Sequence, residues 1–554
     1  MEHGARLSAL RITTAVEAAA RDRAVINGGV PSFDLMVQAG SAAAAFLLRE
    51  LGDRLAHGVC LLAGSGNNGG DAYVMAAQLA RQGVTVRVHA RMPPRTPDAH
   101  RAAQLAAPYL VHGLPTGHEQ IVVDGLLGTG HRGALRDGLW ADCARLTLAR
   151  DRGATIVALD VPSGLDATTG EIADGSAAAH VTVSFGTIKR GALLQRAHVG
   201  RVVLLDIGLG AGADRPGETD DGAWRWADLV GAGALLQQVA AADAWSAHKG
   251  TRGRVALAGG DEGMAGAIAL AARAALQAGA GLVHAVVAND SVAAVQALVP
   301  QALAHRWPEA AGGRHADANA DADANANGSA AAVALRVDAL AVGPGLGRNP
   351  RSATVLQRLL DQYRGLPLLL DADALWHVAE AAAALGTDAA SLLQHWTRDA
   401  RAVVCTPHPG EFGRLLGTHL PPAWSERAAL LQQFATRAQC TVLLKGTPTL
   451  VAPPDGAPLW VVPHGTPLLA TGGSGDCLSG IVAALLAQGA SGDAAAVLGA
   501  TVHGRAAEQV HGAARATARG TTLDDVLAAT RSVWSALATP PPLPPAVLAE
   551  LPAV

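Results

Sequence analysis

The sequence predicts an α/β protein of two domains, each a mostly parallel sheet with helices on both faces. Two observations lead to this prediction. Short apolar runs of strand length alternate with helix-like stretches through most of the 554 residues, and this alternation is typical of βαβ units. It is interrupted at Gly208–Asp221, where glycine, proline and acidic residues follow one another without periodicity. We therefore predict a three-layer α/β/α domain at residues 1–215 and a second α/β domain at residues 225–537.

The predicted strands indicate where ligands should bind. Parallel strands end at a common edge of their sheet, and ligands of open α/β sheets bind at that edge. The loops after the apolar runs are therefore the first places to search for functional residues. In the N-terminal half these runs are Val59–Ala63, Val84–Ala90, Ile121–Val123, Thr155–Leu159, Val181–Phe185 and Arg201–Leu205. In the C-terminal half they are Arg254–Ala258, Leu282–Ala288, Ala339–Val342, Pro367–Leu370, Ala402–Cys405 and Thr441–Leu444.

Two segments have compositions that do not suit a packed core. Residues 308–332 contain a repeat of alanine with aspartate or asparagine, and they are predicted to form a low-complexity surface insertion. Residues 538–554 begin with a proline-rich stretch, and they are predicted to form a solvated tail of polyproline type rather than a binding motif.

Composition and charge exclude several classes of function. Charged residues make up 16% of the chain and the net charge is −4, so the totals show no strongly basic surface for nucleic acid. No apolar run is long enough to cross a membrane, and the first residues lack a secretory signal. The five cysteines include no Cys-x-x-Cys pair for a disulfide framework or zinc. We expect a cytoplasmic protein with a small-molecule partner, and the sequence leaves open whether it forms a homo-oligomer.

The first glycine-rich loop follows the strand Val59–Ala63. It reads Gly-Ser-Gly-Asn-Asn-Gly-Gly-Asp from Gly64 to Asp71, which contains the G-x-G-x-x-G spacing of dinucleotide-binding folds. Such a fold needs an acidic residue near the end of the next strand, where this chain has His89 and Arg91. Ordinary NAD binding is therefore disfavoured. The asparagines and Asp71 instead add side-chain donors and acceptors where the backbone can approach a phosphate-bearing ligand.

Two further strand ends of the same domain carry polar loops. One is Asp124–Gly133 and the other is Asp160–Asp166, and each alone is explained equally well as a helix-capping turn. Together with the first loop they place Asn68, Asp124 and Ser163 at one edge of the predicted sheet. Their oxygen atoms are ligands that hard or monovalent cations prefer. The sequence therefore predicts a cation site at this edge.

The strongest motif of the C-terminal half is Thr471–Gly480. It reads Thr-Gly-Gly-Ser-Gly-Asp-Cys-Leu-Ser-Gly and leads into an apolar helix. Successive glycine amides at a helix N-terminus form an anion hole for a transferring phosphate, and Asp476 is placed to take a proton from an attacking hydroxyl. A structural helix cap is the alternative role for Asp476. A Walker A sequence is absent, so this loop and Lys445–Thr449 are expected to bind phosphate.

Other strand ends of this half add candidates. Gly259–Ala267 and Gly343–Gly347 are glycine turns, which bind anions or serve close helix packing. Asp371–Leu375 follows a further strand. His408 lies in the turn Thr406–Glu411 after an apolar strand, and both a structural and a ligand-binding role are open for it.

Residues 8–209 carry Gly29–Ser32, Leu35–Met36, the Gly-Asn-Asn-Gly-Gly-Asp loop, Asp124 with its glycine loop, and Asp160–Asp166. On these motifs the segment resembles the YjeF N-terminal family of NAD(P)H-hydrate epimerases, which has a Rossmann-like fold. The resemblance implies potassium binding by Asn68, Asp124 and Ser163, and a catalytic role for Asp160. It implies that the hydrated cofactor is held by Asn67, Asn68, Gly69, Gly70, Asp71, Gly128, Thr129, Gly130, His131, Arg132, Gly133, Ala134 and Asp160. The chain departs from the family at Val37 and His180, where acidic residues are common.

The glycine, histidine and Gly-Ser-Gly-Asp motifs of residues 225–535 resemble the ribokinase-like superfamily, specifically the ADP- or ATP-dependent NAD(P)H-hydrate dehydratases. The resemblance implies a nucleotide site formed by Lys445, Gly446, Thr447, Pro448, Thr449 and Gly475. It implies that the hydrated cofactor is held by Ala267, Gly345, Gly347, His408 and Asp476, with Asp476 as the catalytic base. Gly465–Leu468 stands where the family has Gly-Asn-x-Gly.

The two resemblances, in this order, imply a bifunctional repair enzyme for damaged nicotinamide cofactor. In the damaged form water has added across the nicotinamide ring and left a C6 hydroxyl in the R or S configuration. The N-terminal domain would interconvert the epimers with potassium, and the C-terminal domain would dehydrate the S form of hydrated NADH or NADPH with Mg²⁺ and ADP, giving AMP and phosphate. Two alternatives stay open, a ribokinase-like small-molecule kinase and an N-terminal domain that is a non-catalytic binding module.

Overall fold

The computed structural model describes residues 10–109, 111–136, 138–209, 224–308, 335–513 and 518–553. The chain divides into two compact units. The first unit consists of Ala9–Asp228 with residues 423–425 and Pro541–Val554, and the second of Leu229–Pro422 and Glu426–Pro540. The predicted low-complexity insertion lies outside the described residues except at Pro308. No helix of the described ranges is both long and apolar enough to cross a membrane.

The first unit contains a mainly parallel sheet. Its order β9-β7-β6-β5-β2-β3-β4 is parallel throughout, so β2, β5 and β6 lie side by side and end at one edge. The strands are β1 (Leu10–Thr13), β2 (Val59–Ala63), β3 (Val86–Ala90), β4 (Val111–His112), β5 (Ile121–Gly125), β6 (Thr155–Leu159), β7 (Val181–Phe185), β8 (Ile188–Lys189), β9 (Arg201–Leu205) and β10 (Trp224–Trp226). The helices are α1 (Ala15–Asn27), α2 (Ser32–Glu50), α3 (Gly52–Leu55), α4 (Asn67–Arg81), α5 (Pro97–Ala106), α6 (Leu139–Asp151), α7 (Arg190–Leu194) and α8 (Arg196–Val199).

The central strands are apolar on both faces because helices cover both faces of the sheet. Val59 and Leu61 of β2 belong to a core that includes α2 and α4. Cys60 and Leu62 of the same strand belong to a second core that includes α6. Successive side chains of a strand point to opposite faces, so uninterrupted apolar runs are what this architecture requires. The predicted three-layer α/β/α arrangement is confirmed.

The second unit is also an α/β structure. Its sheet order is β13-β12-β11-β14-β15-β16-β17-β18-β19, parallel as far as β17 and antiparallel from β17 to β19. The strands are β11 (Arg254–Ala258), β12 (Leu282–Val287), β13 (Leu303–Arg306), β14 (Ala339–Val342), β15 (Leu368–Leu370), β16 (Val403–Cys405), β17 (Thr441–Leu444), β18 (Thr449–Ala452) and β19 (Trp460–Val462). The helices are α9 (Leu229–Leu236), α10 (Ala265–Gln277), α11 (Val292–Leu298), α12 (Pro350–Gln362), α13 (Ala372–Leu385), α14 (Ala389–Thr397), α15 (Pro409–Leu416), α16 (Trp424–Ala438), α17 (Ser474–Ala487), α18 (Gly492–Ala513) and α19 (Leu523–Ala538).

The strands predicted from the sequence are present, and their ends differ by at most two residues from the prediction. The boundary between the units falls later than predicted. Strand β10 belongs to the first unit, where it pairs antiparallel with β1, whereas residues from 225 onward were predicted to start the second domain. The Trp-Arg-Trp run of β10 is short, and its pairing with β1 could not be predicted from the sequence.

The prediction of a solvated tail is wrong for the end of the chain. Strand β20 (Val547–Leu551) pairs antiparallel with β9 at the edge of the first unit's sheet. Its alternate side chains Val547, Ala549 and Leu551 are buried, and Arg201 Nε donates to Glu550 Oε1 at 2.5 Å. The prolines do not prevent this pairing because they precede the strand, where no ladder hydrogen bond is required of them.

We expect truncation after Pro545 to destabilise the first unit by about 3 to 6 kcal/mol, because full burial of Val547 and of Leu551 contributes about 1.5 to 3 kcal/mol each. Thermal unfolding of the first unit measures this loss of stability. The matched control is Leu548→Ala on the same strand, since Leu548 is 38% exposed. An unchanged unfolding temperature in the truncated chain would show that β20 adds nothing to stability.

Candidate active sites

The three polar loops of the first unit follow β2, β5 and β6, which are neighbours in the sheet. The structure brings together the three predicted cation ligands of these loops. Ser163 Oγ donates to Asp124 Oδ1 at 2.5 Å, and the Ser163 amide donates to Asp124 Oδ2 at 2.8 Å. Leu127 connects Asn68 to this pair, because the Leu127 carbonyl accepts from Asn68 Nδ2 and the Leu127 amide donates to Ser163 Oγ, both at 2.9 Å.

One oxygen of this cluster has no partner within the described part of the chain. Asn68 Oδ1 is buried without a hydrogen bond, although the amide group of the same side chain is engaged. Asp124 is 1% exposed, and burial raises the pKa of its carboxyl group. A buried polar atom without a partner costs about 1 to 3 kcal/mol, and a cation would satisfy Asn68 Oδ1 and favour the ionised form of Asp124. The residues therefore fit a cation bound by oxygen atoms.

Asp160 follows β6 in an unusual backbone conformation. Its φ is 65°, a left-handed value that is strained for a residue other than glycine and is often found at functional sites. The Lys189 ammonium group donates to Asp160 Oδ1 and also to the carbonyl oxygens of Phe185 and Thr187, at 2.9 and 3.0 Å. The Lys189 side chain is 4% exposed. With three donors engaged, Lys189 fixes the position of the Asp160 carboxylate.

Two further carboxyl groups lie in the electrostatic field of Asp160 and Lys189. Burial, and the nearby charges of Asp160 and Asp22, raise the pKa of Asp71 well above its ordinary value. Burial also raises the pKa of Asp22 on α1, although Lys189 lowers it. Lys189 thus contacts Asp160 and also lowers the pKa values of Asp71 and Asp22 against the effect of their burial.

The glycines of the first loop serve packing as well as any ligand. A Cβ at Gly64 would lie 1.8 Å from the Leu126 carbonyl oxygen, and one at Gly69 would lie 1.9 Å from the Gly64 carbonyl oxygen. Gly64 is therefore required for the close approach of the loops after β2 and β5, and Gly69 is required for the tight turn within the loop after β2. In the loop after β5, residues 128–134, His131 Nε2 is buried without a hydrogen-bond partner among the described residues. Asn67 instead accepts a hydrogen bond from Thr96 at 2.6 Å.

In the second unit the predicted base and nucleotide residues converge. Helix α17 begins at Ser474 after Gly473, whose φ is 92°, and this places Asp476 in the first turn. A Cβ at Gly475 would lie 3.2 Å from Lys445 Nζ, so Lys445 lies against the glycine loop. Lys445 Nζ donates to Asp371 Oδ1 at 2.8 Å and is 3.9 Å from Glu411 Oε2. Residues 445–448 form the turn between β17 and β18, and Thr449 Oγ1 at the start of β18 donates to the Gly446 carbonyl oxygen at 3.0 Å.

Asp476 has the protonation chemistry of a base that works near neutral pH. Burial and the Asp371 carboxylate raise the pKa of Asp476 to about 7, while Lys445 lowers it. A base with its pKa near the working pH is well matched to proton transfer. The cap of α17 is Gly473, and no side-chain hydrogen bond caps this helix end. Asp476 therefore does not serve as the side-chain cap of this helix.

Three of the residues predicted to hold the hydrated cofactor in this unit, Ala267, Gly345 and Gly347, lie in the segments that follow β11 and β14. The other two do not belong to these segments, because His408 follows β16 and Asp476 lies in the first turn of α17. A Cβ at Gly345 would lie 3.1 Å from the Ala267 Cβ. Gly347 has a φ of 83°, and a Cβ there would lie 2.4 Å from Asp261 Oδ2. These glycines therefore cannot be replaced without moving the backbone or a carboxylate that lines the same turn.

His408 has a structural role that the sequence left open. Its Nδ1 accepts from the amides of Gly410 and Glu411 at 3.0 and 3.3 Å, so that His408 caps helix α15. Its Nε2 lies 3.4 Å from Glu411 Oε1, and the side chain is 57% exposed. A cap on one ring nitrogen leaves the exposed side of the ring accessible to a ligand.

Comparison with known proteins shows the same two-part organisation. Residues 32–191 match the family described as YjeF-related protein N-terminus, and residues 255–529 match the family described as NAD(P)H-hydrate dehydratase. A bifunctional NAD(P)H-hydrate repair enzyme from Moorella thermoacetica is 34% identical over 90% of this chain and 92% of its own length. The corresponding protein of Escherichia coli is 31% identical over 90% of this chain and 88% of its own length.

The chain belongs to the family of bifunctional NAD(P)H-hydrate repair enzymes. The predicted family and the predicted order of an epimerase domain and a dehydratase domain are thereby confirmed. Among solved structures, an ADP/ATP-dependent NAD(P)H-hydrate dehydratase from Bacillus subtilis, co-crystallised with ATP and Mg²⁺, is 26% identical with a TM-score of 0.42. That similarity covers 53% of this chain and 93% of the Bacillus protein.

In this repair enzyme the structure adds residues to which the sequence assigned no role. Asp371 is 1% exposed and accepts from Ser479 Oγ at 2.7 Å as well as from Lys445. Its position after β15 was visible in the sequence, but its contact with Lys445 was not. Asp22 had no visible signal, because it does not follow a predicted strand. Lys189 follows the predicted strand Val181–Phe185, but no polar motif marks it. Burial of a lysine beside a carboxylate is what identifies Lys189.

Proposed function

We propose that the second unit dehydrates the S epimer of hydrated NADH and NADPH with ADP, and that the first unit supplies this epimer from the R form. The observation that carries the dehydratase assignment is the grouping of Lys445, Asp371 and Asp476 at the glycine loop before α17. A phosphoryl-transfer site needs a base for the attacking hydroxyl and positive groups for the phosphate. This cluster supplies both.

The dehydration is written in two steps. Asp476 takes the proton of the C6 hydroxyl while the oxygen of this hydroxyl attacks the terminal phosphorus of ADP, and AMP leaves. Phosphate then departs with the C6–O electron pair, a phosphate oxygen takes up the proton released from C5, and the C5–C6 double bond of the ring returns. The loop amides and Lys445 offset the charge on the phosphate. Mg²⁺ would add to this neutralisation, and the carboxylates of Asp371 and Glu411 beside Lys445 are oxygen donors suited to hold it.

Epimerisation is possible because C6 of the hydrate carries two heteroatoms, the hydroxyl oxygen and the ring nitrogen N1. Opening the C6–N1 bond gives an aldehyde, and closure on its opposite face gives the other epimer. The opening removes the hydroxyl proton and adds a proton to N1. Asp160, held by Lys189, accepts the first proton, and the protonated carboxyl group of Asp71 donates the second. Potassium on Asn68, Asp124 and Ser163 would fix the three loops around the cofactor.

The test is incubation of the full chain with a mixture of both hydrate epimers and either ADP or ATP, following recovery of reduced-cofactor absorbance. Complete recovery, faster with ADP, is the expected result. Accumulation of a phosphorylated hydrate would instead indicate a small-molecule kinase. Recovery that stops at the S fraction would indicate that the first unit only binds a ligand.

We expect dehydration to accelerate with pH around neutrality. Asp476 accepts a proton only when ionised, and with a pKa of about 7 its ionised fraction rises about tenfold between pH 6 and pH 8. The rate should follow this rise and level off above pH 8. Asp371→Asn removes a charge that raises the pKa of Asp476, so its profile should move to lower pH. A pH-independent wild-type rate across this range would exclude Asp476 as the titrating base.

A further inference from the structure

A cavity of about 620 Å³ lies in the first unit, away from the three polar loops. Its wall includes Gln120, which precedes β5, and Ala154, which precedes β6. It is therefore at the amino ends of these parallel strands, whereas the candidate epimerase site is at their carboxyl ends. Each strand has five residues and spans about 16 Å. A ligand in the cavity would leave the epimerase site free.

The cavity has an excess of positive charge. Arg54, Arg145 and Arg152 line it, with Glu119 as the lining carboxylate. Glu119 is already engaged, because it accepts from the amides of Thr116 and Gly117 at 2.9 and 3.0 Å and pairs with Arg87 at 3.4 Å. No lining carboxylate is left to neutralise the three guanidinium groups.

The hydrogen bonds of these arginines agree with an uncompensated charge. Arg54 donates to the hydroxyl of Thr155, which is neutral. Arg145 donates to Asp142 at 2.7 Å, but Asp142 also accepts from Arg91 at 2.7 Å, so one carboxylate serves two cations. Burial, together with the positive charges of Arg150 and Arg54, lowers the pKa of His180.

The cavity also has apolar walls. Leu114 and Leu148 line it and are 46% and 48% exposed, and Pro115 and Ala149 lie beside them. Exposed leucines next to guanidinium groups suit a ligand with a flat apolar body and an anionic group. The volume is in the range of ligand pockets, about 300 to 1,000 Å³.

We propose that this cavity binds a nucleoside phosphate, with the phosphate on Arg54 and Arg152 and the base against Leu114 and Leu148. Guanidinium groups recognise phosphate through paired, charge-assisted hydrogen bonds, and the leucines cover the faces of the base. The chain thus has a nucleotide site in its first unit besides the one proposed at Lys445–Thr449. This inference does not rest on the epimerase or dehydratase assignments.

The test is equilibrium dialysis of the full chain against labelled ADP, with the number of ADP molecules bound per chain as the readout. Wild type is expected to bind two. The double variant R54A/R152A should bind one at the same concentrations, because losing two guanidinium contacts of about tenfold each weakens the site about 100-fold. Lys445→Ala should also bind one, and combining the three substitutions should abolish binding.

Matched variants separate direct contact from general charge. Arg150→Ala removes an exposed arginine of α6, the helix that carries Arg145 and Leu148, from a position outside the cavity lining. This variant should still bind two ADP molecules. Leu148→Asp places a negative charge in the cavity and should bind one. Thermal unfolding checks that each variant is folded. The proposal would be overturned if R54A/R152A binds as many ADP molecules per chain as wild type does, whatever that number is, or if inorganic phosphate but not AMP displaces ADP from this site.

Discussion

Asp476→Asn is expected to lower the dehydration rate by on the order of 10² to 10⁴, the usual cost of losing a positioned base. The amide nearly preserves the size of the side chain, and no side-chain cap of α17 is lost, so the fold should survive. What the amide cannot do is accept the proton of the substrate hydroxyl. Binding of ADP should persist, because Lys445 and the glycine loop are unchanged.

The epimerisation activity of the same preparation is an internal control for this variant. Epimerisation depends on residues of the first unit, so R and S hydrates should interconvert at the wild-type rate. Asp493→Asn provides a matched control, since Asp493 lies in the first turn of the next helix, α18, and should dehydrate normally. A folded Asp476→Asn enzyme that dehydrates at the wild-type rate would eliminate Asp476 as the base.

Asp124→Asn is expected to slow epimerisation by about 100-fold, while dehydration of the S epimer continues unchanged. Loss of even an outer partner of a metal site typically costs about 10- to 100-fold, and Asp124 is proposed as a direct ligand. Asparagine is chosen over alanine because Asp124 accepts hydrogen bonds from Ser163 and from the Leu126 amide. Alanine would therefore add a loss of stability to the loss of the cation.

Reduced-cofactor absorbance after mixing both epimers with ADP provides the readout for this variant. Recovery should become biphasic, with a fast phase from the S fraction and a slow phase from the R fraction. Wild type in potassium-free buffer should behave in the same way, and removing potassium should change Asp124→Asn little further. Asp174→Asn, an exposed residue in the loop after β6, should stay monophasic. Single-phase recovery in both the variant and potassium-free buffer would refute the cation site.

Much of the fold could be predicted because its signal is local. The apolar runs of β2, β5 and β6 are uninterrupted since both faces of the sheet are covered, and glycine loops mark their ends. The same local reasoning failed for β20, where the proline content before Val547 suggested a solvated tail. Its partner strand β9 is distant in the sequence, with Arg201 and Glu550 separated by 349 positions, and composition carries no information about such a pairing.

The sequence by itself determined the α/β class, the two-domain order, the family and the identity of Asn68, Asp124, Ser163 and Asp476 as candidates. These residues stand in motifs whose spacing is fixed by strand–loop–helix geometry, and their roles stay predictions. Only the tertiary structure decided that Lys189 holds Asp160, that Asp371 holds Lys445, and that the pKa of Asp476 is raised to about 7. A pKa, an oxygen without a partner and a cationic cavity all depend on burial and on charges from distant segments, because those set the local dielectric environment and field.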